Sequence, residues 1–250
     1  MKTRIAIVLV ACFLIISACK KNALFSGSKI YTLTNYSPGG GYSETFTYNG
    51  DGTIATLVRN DGIKIIYYYS ANGDTVTAAQ VNGLGQTTTA TEYVLNSSKY
   101  ADTAQGEFIA QHNSNAYSYD VNGMWTQVKT YINHGINSTD NYTNNSAKDA
   151  VVIQHVNSAN ISTYDYYTFY TSNANTIGVQ NMGQYYLGVS SANLISTDVK
   201  IASNLDTTDI ITYQYRYDGS GNVDTMVAYH TWRGNSQFGA LVDSITYTYY

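Results

Sequence analysis

The feature that most constrains this chain is a recurring unit: an alternating aromatic strand, a short Asn/Asp/Gly loop, then a second strand. It is seen at 45–54, 67–76, 117–125 and 213–223. The loops read Tyr48-Asn49-Gly50-Asp51-Gly52, Tyr69-Ser70-Ala71-Asn72-Gly73, Tyr119-Asp120-Val121-Asn122-Gly123 and Tyr217-Asp218-Gly219-Ser220-Gly221. Asn, Asp and Gly tolerate the left-handed backbone that tight hairpin connections require, so each unit is a β-hairpin. The tyrosines before the loops, at 48, 69, 119 and 217, fit a period of roughly 21 to 25 residues with degraded copies between them. A hairpin repeated along a chain builds an antiparallel sheet and leaves little room for helix.

Alternation assigns the two faces. Tyr213, Tyr215 and Tyr217 share one side of their strand while Thr212, Gln214 and Arg216 share the other, and near the C-terminus Ile245, Tyr247 and Tyr249 oppose Ser244, Thr246 and Thr248. One face is aromatic and the other hydroxylated. Further strands are expected at 63–69, 75–81, 86–95, 124–132, 151–156, 162–171, 197–202, 223–232 and 240–250, and the polar stretch 133–147 reads as an exposed loop. The expected fold is all-β: an antiparallel hairpin meander of roughly a dozen strands, forming a curved sheet or a barrel-like shape. It occupies 30–250 as a single domain.

Composition agrees. Hydrophobic residues make up 44% and charged ones only 12%, and 26 residues are Tyr. A disordered chain needs high charge and few aromatics, so disorder is excluded. A membrane-spanning barrel needs an apolar lipid-facing row. The non-tyrosine rows here are Thr, Ser, Gln and Arg, so the sheet is not expected to span a membrane.

The N-terminus carries a separate instruction. Lys2 and Arg4 precede an apolar run from Ile5 to Ile16, which is the pattern of a secretory signal peptide over 1–18. As a helix the run rises about 18 Å, short of the roughly 30 Å of a bilayer core. The stretch Ile16-Ser17-Ala18-Cys19 resembles the lipobox of bacterial lipoproteins. That resemblance implies cleavage between Ala18 and Cys19, with diacylglycerol on the Cys19 sulfur and a further acyl chain, such as palmitate, on its new amino group. Residues 19–29 are then a lipidated tether, and the membrane is a partner through this anchor. Lys20 and Lys21, standing where Asp would signal inner-membrane retention, favour the outer membrane and leave open which of its faces is occupied. Cys12 leaves with the leader, so a disulfide, a CxxC metal site and a Cys nucleophile are all excluded from the mature chain. The formal net charge of −4 becomes more negative once Lys2 and Arg4 are lost, which makes nucleic acid a poor partner.

Catalytic patterns are sparse. Gly188-Val189-Ser190-Ser191-Ala192 lacks the second Gly of a nucleophile elbow. His112, His134, His155 and His230 are far apart in sequence and have no metal-ligand spacing. Asp218 to Asp224 alternates oxygen side chains as a calcium loop does, but its twelfth position is Tyr229 rather than Glu. No catalytic residue, metal ligand or cofactor is assigned. Trp125, Trp232, Tyr213 and Tyr215 are candidates for stacking on a sugar ring, against the plainer reading that alternating Tyr forms the core side of a sheet. Five Asp-Thr or Asp-Ser triplets, at 74, 102, 206, 224 and 243, resemble the O-glycosylation motif of exported Bacteroidota proteins.

With the lipobox, the hairpin unit and the stretch Asn193-Leu194-Ile195-Ser196 leading to 213–223, the chain resembles uncharacterised Bacteroidota outer-membrane lipoproteins with a domain of unknown function of porin-like β fold. The Tyr-x-Tyr-Asp units are also similar to the YD repeats of large surface proteins. The resemblance implies a curved antiparallel sheet and an outer-membrane address, and brings no catalytic residues. The expected function is that of a non-enzymatic cell-envelope lipoprotein binding a glycan or an envelope protein through an aromatic face or polar loops. The alternative is a polysaccharide-acting hydrolase whose carboxylate pair the sequence does not identify.

Overall fold

In the computed structural model, which describes residues 28–37, 40–108, 111–232 and 240–250, the chain closes into a barrel of sixteen antiparallel strands. In chain order they are β1 Ile30–Tyr36, β2 Tyr42–Tyr48, β3 Ile54–Arg59, β4 Lys64–Tyr69, β5 Thr75–Val81, β6 Thr87–Leu95, β7 Ala101–Phe108 and β8 Gln111–Tyr119. They continue with β9 Trp125–Ile132, β10 Gly135–Asn144, β11 Ala150–Asn157, β12 Ser162–Ala174, β13 Asn193–Ile201, β14 Thr207–Tyr217, β15 Val223–Trp232 and β16 Ala240–Tyr249. Each strand pairs with its sequence neighbours, and β16 closes on β1 through Leu33↔Tyr247 and Asn35↔Ile245. Closure leaves no free sheet edge.

The expectation of a dozen strands was low because two strands lack an apolar face. β10 lies within the stretch expected to be an exposed loop, where its inward residues are Ser138, Asp140, Tyr142 and Asn144 and its outward residues Thr139, Asn141 and Thr143. The hydrogen-bonded ladder and neighbours on both sides hold it as a strand, although nothing in its own pattern distinguishes it from a loop. β7, with Asp102, Gly106 and Glu107, escaped notice for the same reason.

The repeat is visible in the turns. At one end of the barrel the loops begin at Asn49, Ser70, Asn96, Asp120, Asn145 and Asp218, spaced by roughly 24 residues or a multiple of it. In each, the fourth residue donates its N–H back to the first and takes positive φ: Gly52, Gly73, Lys99, Gly123, Lys148 and Gly221. Lys99 and Lys148 mark the degraded copies, where a lysine holds the left-handed position that glycine fills elsewhere. A type I turn followed by a left-handed residue produces a bulge, and the register shifts at Thr47/Tyr48, Val94/Leu95, Ser118/Tyr119, Thr143/Asn144 and Arg216/Tyr217 are these bulges.

These five bulges turn the starts of β3, β7, β9, β11 and β15 inward, and the starts of β1, β5 and β13 join them. Ile30, Ile54, Val76, Ala101, Met124, Asp149, Leu194 and Val223 form a ring at that end, none more than 2% exposed. Tyrosines lock the ring: Tyr48 donates its hydroxyl to Ile30 O at 2.6 Å, Tyr69 to Ile54 O at 2.9 Å and Tyr249 to Val223 O at 2.7 Å. Asp149, the polar member, accepts both the N–H and the side-chain amide of Asn193 at 2.9 Å.

Over this ring lies the long β12–β13 connection, a strap whose neck is closed by Asn175 N–H donating to Ala192 O at 2.9 Å. It reaches across to distant loops: Ile30 N–H donates to Asn181 O at 3.1 Å, Ile54 N–H to Gly183 O at 3.1 Å, and Val189 N–H to Gly123 O at 2.8 Å. Its 3-10 turn, Tyr185–Leu187, drives Tyr186 into the barrel at 1% exposure, against Tyr93 with ring centroids 4.9 Å apart. The main hydrophobic cluster, which includes Phe46, Ile54, Val76, Tyr186 and Tyr247, fills the lumen beneath the strap.

The outer wall has different chemistry. Thr32 and Thr248 hydroxyls lie 2.6 Å apart, Thr47 and Thr56 2.7 Å, and Thr168 and Ser196 2.7 Å. Across β9 to β12 the Gln127 amide donates to Asn141 at 2.8 Å, Asn141 to Gln154 at 3.3 Å, and Gln154 to Ser162 and Tyr164 at 3.2 Å. Hydroxyl and amide side chains run through the outer wall, interspersed with exposed Val58, Tyr68 and Tyr166, while most of the tyrosines that precede the loops point in.

Candidate functional site in the lumen

Below the hydrophobic cluster the inward rows of β10 to β15 become charged. Register places Asp140 opposite His155, Asp165 opposite Ile153 and Lys200, Asp198 opposite Tyr167 and Ile211, and His230 opposite Ile211. His155 bridges two acids, with Nδ1 2.8 Å from Asp140 Oδ1 and Nε2 3.3 Å from Asp165 Oδ2. Tyr167 donates its hydroxyl to Asp165 Oδ2 at 3.3 Å. Lys200 Nζ stands 3.9 Å from both Asp165 Oδ2 and Asp198 Oδ2, and His230 pairs with Asp209. His155 and Lys200 face inward yet keep 38% and 41% of their side-chain exposure, so water reaches this part of the lumen.

Asp198 differs from the rest. Its side chain is only 5% exposed, and its Oδ1 has no hydrogen-bond partner. Burial first, and the Asp165 carboxylate second, push its carboxyl up from 3.8 to about 6, against the opposing pull of Lys200. A raised carboxyl means that the folded state holds the proton more tightly than the unfolded chain. Stability contributed here is therefore present below about pH 4 and is lost as pH rises through about 6. Asp198→Asn should remove this dependence, making the variant more stable than the parent above pH 7 by up to about 3 kcal/mol, with the difference vanishing near pH 4. Urea unfolding of parent and variant across that range checks the prediction. A parent-to-variant difference that is flat with pH would contradict it.

Adjoining this cluster, a cavity of about 290 Å³ runs between the wall and the strap. Trp125, Tyr142, Ile153, Tyr167 and Ile195 line the wall side, and Val179 and Leu187 the strap side. Tyr167 belongs to both features, its ring to the cavity and its hydroxyl to Asp165. A second cavity of about 380 Å³ lies at the strapped end, between Tyr185 and Gly188 and the hairpins carrying Tyr69 and Tyr100.

The residues singled out by sequence are distributed unevenly. Trp125 does line the lumenal cavity, stacked on Tyr117 at 6.2 Å and edge-on to Tyr142 at 5.6 Å. Tyr213 and Tyr215 face inward, and Tyr215 is committed to the wall: its hydroxyl donates to Ile195 O at 2.9 Å and its ring packs edge-on against Tyr170. Trp232 ends β15 opposite Asp209, and its side chain lies outside the described residues, as do Ala18 and Cys19. The oxygen-rich loop at Asp218 uses its acceptors internally. Asp218 Oδ1 takes the N–H groups of Ser220 and Asn222 at 2.8 Å and Oδ2 the Asn222 amide at 3.1 Å, which holds its carboxyl below the usual range. Among the described residues no group of three or more His, Asp or Glu side chains is placed to hold a metal ion. Sequence reasoning missed Asp140, Asp165, Asp198 and Lys200, and the usable signal was their shared phase. Asp165 precedes Tyr167 by two residues, and Asp198 and Lys200 alternate on β13, so these charges sit on the aromatic side of their strands.

No protein-family model matches the chain, and none of the curated proteins matches it significantly. Among solved structures it is similar to a porin-like protein from Bacteroides uniformis, with 15% sequence identity, a TM-score of 0.68, and coverage of 88% of this chain and 98% of that one. It is also similar to a porin-like protein from Bacteroides vulgatus, with 12% identity, a TM-score of 0.59, and coverage of 90% and 99% respectively. At these identities the likeness concerns the fold alone: the chain is an all-β, antiparallel, porin-like closed barrel.

Proposed function

We propose that this chain is a lipid-anchored protein of the bacterial outer membrane that stands beside the bilayer rather than through it, and that it binds a glycan or an envelope protein without catalysing a reaction. The observation that carries this reading is the outer wall, where Thr, Ser, Asn and Gln hydrogen-bond from strand to strand. Lys129, in the middle of β9 and facing Ala116 and Thr139, lies on that same outer side. A lysine at the bilayer midplane costs about 2 to 4 kcal/mol, and rows of hydroxyls add nothing that lipid favours. The strap and the cluster under it also occupy the lumen that a channel would need open.

The tether follows from the lipobox-like Ile16-Ser17-Ala18-Cys19. Two or three acyl chains anchor a protein durably where one does not. Cys19→Ala should move the protein from the membrane to the soluble fraction, with detergent partitioning as the readout. Unchanged partitioning would contradict lipidation. Because the aromatic face lines the interior, recognition falls to the lumen, with Trp125 and Tyr142 as the ring-contacting groups, and a glycan-array screen of the mature protein tests for the sugar.

A second reading has one observation in its favour. Asp198 and Asp165 each stand 3.9 Å from Lys200 Nζ, and burial with the Asp165 carboxylate pushes the Asp198 carboxyl up to about 6, as a general acid in glycoside hydrolysis requires. Loss of a measured polysaccharide-hydrolysing activity in Asp198→Asn, with the fold retained, would favour this reading over simple binding.

A further inference from the structure

We propose that the cavity between the strap and the barrel wall binds a neutral organic molecule through one apolar ring, held among Trp125, Tyr142 and Tyr167. This goes beyond the reading of the barrel as a glycan- or protein-binding module. It assigns a ligand class to one chamber, and it stands whether or not a sugar occupies the wider lumen.

The chemistry of the lining sets the ligand class. None of the described residues that line this cavity of about 290 Å³ is charged. The lumenal acids lie outside the lining, and Tyr167, which belongs to both features, turns its hydroxyl to Asp165 at 3.3 Å. An ion entering here would lose its water without gaining a counter-charge, a far larger cost than a neutral group meets. A bare sugar is disfavoured too, because its hydroxyls need partners and the polar lining residues spend hydrogen bonds on the backbone. The Asn144 amide donates to Trp125 O at 3.0 Å. The Asn175 amide donates to Ser191 O at 3.0 Å, and its oxygen accepts the Ile177 N–H at 3.0 Å. Ser190 Oγ accepts the Val179 N–H at 3.0 Å, and Ser191 Oγ the Ala150 N–H at 3.1 Å. The surface left to a ligand is mostly aromatic and aliphatic.

The same hydrogen bonds keep the space open. They fix the strap side at Val179, Ser190 and Ser191, while the Val189 N–H, donating to Gly123 O at 2.8 Å, ties the strap to the turn between β8 and β9. On the wall side the strand ladder holds Trp125, which stacks on Tyr117 at 6.2 Å. Protein interiors are close-packed, and a void braced from two sides cannot collapse. Its lining atoms lack contacts that a guest of matching shape supplies. An apolar cavity of about 150 Å³ in an engineered protein core stays dry and takes up benzene. At roughly twice that volume, this one has room for one ring with short substituents.

Calorimetric titration of the full-length protein in lipid nanodiscs tests the proposal, with 2-phenylethanol, its ammonium counterpart phenethylamine, and glucose as probes. Empty discs titrated in parallel correct for partition into lipid. The expected result is saturable 1:1 binding of 2-phenylethanol, about 10-fold or more tighter than either other probe. Val179→Phe, whose larger side chain fills the cavity from the strap, should weaken it by about 10-fold or more. Should that variant fail to fold, Ile153→Phe fills the same space from β11, and the comparison of probes on the parent protein needs no variant. No binding of 2-phenylethanol, binding of phenethylamine as tight as that of the alcohol, or alcohol binding unchanged in a folded Val179→Phe overturns the proposal. Glucose binding as tight as that of the alcohol also overturns it and leaves the glycan reading intact. A blank glycan array beside tight, Val179-dependent binding of 2-phenylethanol supports the proposal and removes the glycan reading.

Discussion

Tyr186→Ala should destabilise the barrel by about 4 kcal/mol, one of the two largest single-residue effects expected in this chain. Tyr186 is 1% exposed and lies against Tyr93 at the point where the strap meets the hydrophobic cluster. Removing its ring leaves a cavity in the middle of the lumen, and the ring of Ile30, Ile54, Val76 and Val223 cannot collapse to fill it, because the strand ladder and the tyrosine locks hold it in place. Chemical unfolding measures the loss. Tyr186→Phe keeps the ring and should retain most of the stability. A cost below about 1 kcal/mol for the alanine variant would mean that the strap is not a structural part of the barrel.

Gly183→Val should cost about 3 kcal/mol or more, for two reasons that act together. Gly183 has φ +71, where a β-branched side chain is strained. A Cβ there would also stand 2.6 Å from Ile54 N, 2.9 Å from Tyr48 Cε1 and 3.0 Å from Gly52 O. The contact with Ile54 N is the severe one, since that N–H donates to Gly183 O. The substitution separates the strap from the β2–β3 hairpin and leaves a buried donor unpaired. Gly219→Val is the control, because a Cβ there meets nothing within 4 Å and no positive φ constrains it. It should cost less than about 0.5 kcal/mol. Equal costs at the two glycines would contradict the docking of the strap.

Much of this architecture was legible in the sequence because the repeat encodes turns and faces together. The tyrosine before each loop, the Asx residue that opens it and the glycine near its end predict the bulged hairpins, and the alternation Tyr213, Tyr215, Tyr217 against Thr212, Gln214, Arg216 predicts two chemically distinct faces. Closure is not local, since it depends on β16 finding β1, which no short pattern announces. β10 was hidden because Asp140 and Asn141 are both polar while pointing to opposite sides. The strap was hidden because its contacts run from Asn181 to Ile30 and from Gly183 to Ile54, separations that only the closed barrel brings together. The lumenal charges were misjudged for a related reason. Asp165 lies on β12 and Asp198 on β13, and only cross-strand register brings them to one place. Of the aromatic residues named from sequence, Trp125 lines the lumenal cavity, whereas Tyr215 satisfies its hydroxyl on the wall, as the plainer reading of alternating tyrosine holds.

The central claim is that this porin-like barrel stands outside the bilayer with its lumen closed at one end. The most direct test is to make residues 20–250, without leader or acyl chains, in detergent-free buffer. The account predicts a soluble protein with a far-UV spectrum dominated by strand, cooperative unfolding, and no ion conductance when it is added to planar bilayers. Folding only in micelles or bilayers, or the appearance of discrete conductance steps, would contradict it and make a membrane pore the leading function.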